Sequence, residues 1–278
     1  MTALEFSLIL FVSSIAAGLL GALSGLGGGV VIVPALTILF HVDIHYAIGA
    51  SLVSVIATSS GAAAAYVREG FSNIRVGMFL EIATTLGALL GAWLTTRVPT
   101  HSIGFIFGLV LLYSAYASLK QRHDALTRKP DPLALRLKLE GSFPSDQCGQ
   151  QSYVAQRVPA GFGLMAVAGT LSGLLGIGSG AVKVIAMDQA MRLPFKVSTT
   201  TSNFMIGVTA AASAGLYLHS GYLAPALVFP VMLGVLAGSL IGSRLLVKAQ
   251  VRTLKVVFAL VIVALGIEMI VNSLRGTL

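Results

Sequence analysis

The chain is predicted to be an all-α polytopic membrane protein made of two copies of one unit, and three observations predict it. Hydrophobic residues fill 56% of the 278 positions and charged ones 10%, with a mean hydropathy of +0.90. That leaves too little polar surface to cover a water-soluble globule. Apolar stretches recur almost throughout, several reaching the roughly 20 residues a helix needs to cross a hydrocarbon core. Their unbroken character suits helices and not the alternating pattern of a membrane barrel. Finally, the run Gly18 to Gly29 returns as Gly169 to Gly180, a constant 151 positions later, and 19 of the 79 positions from Ala17 to Thr95 are identical at that offset. Shared apolar composition would give roughly one match in ten, so the excess argues for internal duplication.

Each copy is expected to hold five helical elements. Repeat one, residues 1–119, places them at about 5–24, 29–40, 46–66, 74–95 and 102–119; repeat two, residues 158–278, at about 158–175, 180–191, 197–218, 223–243 and 256–273. The first element follows Glu5, lacks a basic region and runs straight into a glycine motif, which argues against a cleaved signal peptide. The second element of each repeat starts just after a glycine core, Gly25-Leu26-Gly27-Gly28-Gly29 or Gly176-Ile177-Gly178-Ser179-Gly180. About 12 residues of helix cannot cross a bilayer, so these read as half-helices entered through a break. In the fourth elements, Gly87-x-x-x-Gly91 and Gly238-x-x-x-Gly242 are best explained by close helix packing.

Between the repeats, residues 120–157 carry seven basic residues together with Pro130, Pro132, Gly141 and Pro144, and read as a soluble linker. Positive charge is retained in the cytoplasm during insertion, which places this linker there. With five side changes per repeat, fifteen of the 18 basic residues fall on the linker side, Arg97 and Arg275 fall opposite, and Lys183 lies within the membrane. The connection 95–102 carries one basic residue and its counterpart 244–255 carries four. Opposite bias at equivalent positions predicts inverted repeats with both termini outside. Glycine breaks that merely dip and return would instead give eight crossings. The net charge of +8 therefore reports orientation in a bacterial-type inner membrane, not a nucleic-acid partner. Cys148 is the only cysteine, which excludes an intrachain disulfide or a cysteine metal cluster.

The Gly-Leu-Gly-Gly-Gly-Val-Val-Ile-Val-Pro run at 25–34, its degenerate second copy and the duplicated layout resemble the sulfite exporter TauE/SafE family of membrane transporters. The resemblance implies transport of a small sulfur-containing anion: sulfite, a sulfonate such as sulfoacetate, or thiosulfate. Ser179 stands where a glycine is usual in the family, and Lys183 and Ile185 stand opposite Ile32 and Pro34, so the two halves of a site would be chemically unequal.

The candidate substrate site follows from the breaks. Gly27, Gly28 and Gly29, with Gly178, Ser179 and Gly180, let backbone leave helical geometry and let another group come close. Two helix starts meeting near the midplane supply N–H donors and partial positive charge to an anion; the bland alternative is packing alone. Lys183, in the first turn of the second half-helix, needs compensation inside a membrane, either from a bound anion or from a structural pair with Glu81 or Asp188. Ser51 and Ser202 are matched by the repeat, and Thr201 and Asn203 add donors from one side, although many such hydroxyls bond their own helix carbonyls. Among the buried-looking acids Glu81, Asp188 and Glu268, Glu81 and Asp188 are the candidates for a coupling proton. His41-x-Asp43-x-His45 contains metal-ligand residue types but too few partners, and reads as loop surface.

These features favour a secondary transporter with alternating access between inverted halves. An anion channel could use the same donors. An intramembrane enzyme would need a constellation that is lacking, such as His-Glu-x-x-His or Gly-x-Ser-x-Gly, and the glycine motif has no strand–helix setting for dinucleotide binding. Expected partners are the anion, the bilayer and a coupling proton or ion; no cofactor, metal or nucleic acid is expected. Homo-oligomerisation is left open.

Overall fold

The computed structural model describes residues 3–24, 28–68, 72–119, 131–145, 149–178, 180–246 and 251–276. The first copy contains α1 (Ala3–Ser24), α2 (Gly29–Pro34), α3 (Ile44–Arg68), α4 (Ile74–Thr95) and α5 (Thr100–Leu119). A central segment follows with α6 (Pro132–Arg136), β1 (Glu140–Ser145) and β2 (Gly149–Val154). The second copy contains α7 (Val158–Leu175), α8 (Gly180–Ile185), α9 (Phe195–His219), α10 (Pro225–Leu246) and α11 (Val251–Arg275).

The short elements behave alike in both copies. Each widens into one π-helical turn, Ala35–Leu39 after α2 and Ala186–Ala190 after α8. Each ends on a left-handed residue, His41 with φ 51° and Arg192 with φ 53°. The amide of Val42 then donates to the Leu36 carbonyl at 3.1 Å, and that of Leu193 to Met187 at 3.0 Å. All these pairs are 151 positions apart. Because the wide turn persists where Ile185 replaces Pro34, the proline is not its cause.

Helix packing repeats the same offset. α1 lies on α10 and α7 on α4; α3 pairs with α9, and α5 with α11. A Cβ added at Gly87 would strike the backbone of Ala166 and Thr170, and one at Gly238 would strike Ile15 and Leu19, the residues 151 positions away. Gly18 meets Val235 and Gly169 meets Thr84 in the same exchanged manner. Small residues let these backbones touch, the usual means of joining helices that gain nothing from hiding apolar area in lipid.

α3 and α9 each pack on a fourth helix as well as on one another, which is why their inner faces carry serine, threonine, alanine and glycine. On the periphery, α4 exposes Ile74, Met78, Ile82, Leu86, Leu90 and Trp93 along one side. A stripe this long and apolar exceeds what water tolerates and fits lipid. Among the described residues, three helices are long and apolar enough to cross a membrane: Ile74–Thr95, Thr100–Ala117 and Val158–Leu175. Shorter apolar stretches lie at Leu4–Leu20, Gly29–Leu39, Ile44–Ser60 and Pro225–Ile241.

The central segment is not only a linker, and its hairpin departs from a strictly all-α fold. β1 and β2 pair antiparallel, Gly141 opposite Tyr153. Ala134, Leu139, Phe143, Tyr153 and Ala155 form one buried cluster with Val76, Leu80, Met165, Met187 and Val197. Asp131 caps α6 through the Leu133 amide and also accepts from the Val158 amide, each at 3.0 Å, which ties it to the start of α7. Asn73 caps α4 by accepting from the Val76 amide at 3.0 Å and donates to the Tyr153 hydroxyl at 2.9 Å. Burial pushes that phenol above its ordinary range, and the Asn73 bond opposes the shift.

Candidate functional site

The two glycine breaks converge on the first half of α3, at Ile48, Ser51 and Val55. Gly28 begins the first half-helix, its carbonyl accepting from the amides of Val31 and Ile32, both at 3.1 Å. A Cβ on Gly29 would lie 2.6 Å from Ser51 Oγ, 2.9 Å from the Gly176 carbonyl oxygen and 3.0 Å from Val55. Gly176 and Gly178 both adopt φ +67°, a left-handed conformation that glycine takes without steric cost. Added side chains there would meet Ile48 and Ile206. Glycine at these places lets the first break touch the second. Gly27 and Ser179 lie outside the described residues.

The predicted hydroxyl donors separate by what they bond. Ser51 Oγ donates to the Gly176 carbonyl at 2.8 Å, and Ser202 Oγ donates to the Gly180 carbonyl at 3.3 Å. Although Ser51 and Ser202 are matched in sequence, both secure the second break. Thr201 Oγ1 accepts from the Asn73 amide at 3.1 Å, at the linker end of the bundle. Thr199 and Thr200 bond carbonyls of their own helix. Asn203 is buried on α9, next to Ser202.

Lys183 is fully buried. Its Nζ donates to Thr209 Oγ1 at 2.5 Å, and Thr209 Oγ1 lies 2.6 Å from Glu81 Oε1. The Thr85 hydroxyl reaches the same carboxylate oxygen at 3.2 Å. Glu81 is 8% exposed, and its Oε2 has no hydrogen-bond partner among the described residues. A cation from the second copy and an acid from the first are thus joined through one hydroxyl. The sequence named both ends of this chain but not Thr209 or Thr85. One signal was present: Thr209 is four residues past Met205 and eight past Thr201, on one helix face.

The other acids lie elsewhere. Asp188 occupies the wide turn after α8 and is half-buried. Glu268 is exposed on α11, which corrects its reading as a buried acid; the sequence shows an apolar neighbourhood but not which side of the helix meets the bundle. The reading of His45 as loop surface is also corrected. It is 9% exposed in the first turn of α3. Its Nδ1 lies 3.0 Å from Asp43 Oδ1 and its Nε2 3.2 Å from the Thr95 carbonyl, and its ring stacks on Tyr222 at 4.8 Å. Among the described residues no group of three or more His, Cys, Asp or Glu is placed to hold a metal.

Apolar outer faces, small-residue helix contacts and two broken helices meeting beside a buried charged chain define an integral membrane protein of the transporter class. The chain belongs to the sulfite exporter TauE/SafE family, whose family model matches residues 10–269. It is 27% identical over 274 residues to the probable membrane transporter protein YunE of Bacillus subtilis, covering 96% of this chain and 98% of that protein. A probable membrane transporter protein of Xylella fastidiosa is 27% identical over 273 residues, 96% of each chain. A further relative, MJ0441 of Methanocaldococcus jannaschii, carries the same description and is 22% identical over 278 residues, 94% of each chain. No solved structure matches the chain significantly.

Proposed function

We propose that the protein is a secondary transporter that moves a small sulfur-containing anion, sulfite or an organosulfonate such as sulfoacetate, across the inner membrane by alternating access. The observation that carries this reading is Lys183, a wholly buried cation in α8, three residues after Gly180 at the end of the second glycine break. Such a charge is costly inside a membrane protein and marks a ligand path by default. The family membership supplies the class of anion; Gly180 shares α8 with Lys183, Gly178 lies in the break that leads into it, and Ser202 and Asn203 lie on α9 with its partner Thr209.

Inversion of the halves is supported by chain direction. Phe6, near the start of α1, contacts Phe40 at the end of the first half-helix, with centroids 6.1 Å apart, so α1 and α2 form a hairpin that opens at one end of the bundle. α3, α4 and α5 then change ends three times, and the second copy starts from the opposite end. With the basic linker in the cytoplasm, both termini lie outside. Transport then requires Gly29 to part from Gly176, where the copies touch.

The test is thermal stabilisation of the purified protein by sulfite, sulfate, thiosulfate, sulfoacetate, taurine and chloride. A ligand that binds only the folded state at a hundred times its Kd adds about 2.7 kcal/mol. Selective stabilisation by sulfur oxyanions, lost in a folded Lys183→Met protein, is the expected outcome. Equal stabilisation by all six, or a response untouched by that substitution, would refute the assignment.

A further inference from the structure

Lys183 already has a counter-charge in this structure, and that constrains how an anion can use it. The ammonium donates to Thr209 Oγ1, which has a single proton to pass on. Its nearest acceptors are Glu81 Oε1 at 2.6 Å and the Met205 carbonyl at 2.9 Å. Lys183 and Glu81 therefore sum to zero charge, whichever member of the chain holds the shared proton. Among the described residues no second cation is set against Glu81: α7, packed on α4, carries no titratable residue. On α9 the other titratable side chains are Lys196, Tyr217 and His219, toward its two ends. On α4 there is Arg75, six residues earlier. Asp188, beyond Ile185 in the wide turn, adds negative and not positive charge.

Resting on the anion-transport reading above, we propose that anion binding at Lys183 is obligatorily linked to uptake of one proton by Glu81, so that the protein moves an anion together with a proton. An anion arriving at a neutral buried pair would leave the cluster with uncompensated negative charge, which low-dielectric surroundings penalise heavily. A proton on Glu81 removes that charge and leaves Lys183 free to pair with the anion. Oε2 is the atom that takes it: it is buried and has no partner among the described residues, whereas Oε1 already accepts from Thr85. Protonation also weakens the contact from Thr209 to Glu81, which joins the second copy to the first. The pseudo-equivalent positions, Ile32, Thr58 and Met232, keep the threonine but neither charge, so the coupling site exists once per chain.

Calorimetric titration of the purified full chain with methanesulfonate, a singly charged organosulfonate, in buffers of different ionisation enthalpy, reads proton uptake directly. Methanesulfonate does not itself titrate between about pH 6 and 8. Wild-type protein is expected to take up about one proton per anion, with apparent Kd rising about tenfold per pH unit. Glu81→Gln is expected to bind with near-zero uptake and a flat pH dependence. Binding by the wild type without proton uptake, or uptake unchanged in Glu81→Gln, overturns the proposal while leaving anion transport intact. Absence of any methanesulfonate binding overturns it together with the sulfonate reading. If Glu81→Gln does not fold, the wild-type titration decides alone, and an apparent Kd that does not change with pH is equally fatal.

Discussion

Thr209 and Thr58 occupy equivalent positions 151 residues apart yet do different work. Thr58 Oγ1 bonds the Val55 carbonyl of its own helix at 3.2 Å, the ordinary arrangement for a hydroxyl in a membrane helix. Thr209 stands between a buried ammonium and a buried carboxylate. Thr209→Val is expected to lower stability by at least about 1–3 kcal/mol, the cost of leaving buried polar groups unpaired, and to abolish the anion response. Thr58→Val should stay within about 0.5–1 kcal/mol of wild type, and Thr209→Ser should retain most of both properties. Denaturation midpoints in detergent measure the contrast, and equal losses at the two threonines would reduce Thr209 to a back-bonding hydroxyl. The two charged ends of this chain were legible in the sequence because a lysine and a glutamate stand out within apolar runs. The linking hydroxyl was not, since composition cannot separate it from Thr58 or Thr200. His45 was misread for a related reason: its partners Thr95 and Tyr222 are far away in sequence, and only the closed bundle brings them to it.

At the scale of elements, duplication and broken helices were legible because they leave periodic and compositional marks. The convergence of Gly29 on Gly176 was not, nor was the hairpin at 140–154, whose buried Phe143 and Tyr153 are too few to set a pattern against a background of proline, glycine and charge. The packing role of individual glycines can be tested within one helix. In α7, a Cβ at Gly169 would collide with the backbone of Thr84, whereas one at Gly163 meets nothing within 4 Å. Gly169→Ala should cost about 1–3 kcal/mol, because α4 would have to move to relieve the overlap. Gly163→Ala should be neutral or stabilise by up to about 1 kcal/mol through helix propensity. Melting temperatures that fall equally for both would show that α4 and α7 do not touch as described.

For the whole molecule, the decisive question is whether the second copy is upside down. His45 joins two loops that bear on it: its ring contacts the Thr95 carbonyl at the end of α4 and stacks on Tyr222 beyond the end of α9. Loops 96–99 and 220–224 therefore lie at the same end of the bundle. Inverted copies require that, because the fourth element of one copy and the third of the other then finish on the same side. Parallel copies with eight crossings would put them on opposite sides. Cys148, the only native cysteine, reports the central segment without substitution, and Arg97→Cys and Ser220→Cys in a Cys148→Ser background report the two loops. In intact cells an impermeant maleimide is expected to label positions 97 and 220 and to spare Cys148, which should react only after the membrane is opened. Labelling of 97 and 220 from different sides would eliminate inversion, and labelling of Cys148 alone in intact cells would keep inversion but reverse the orientation that the basic residues dictate.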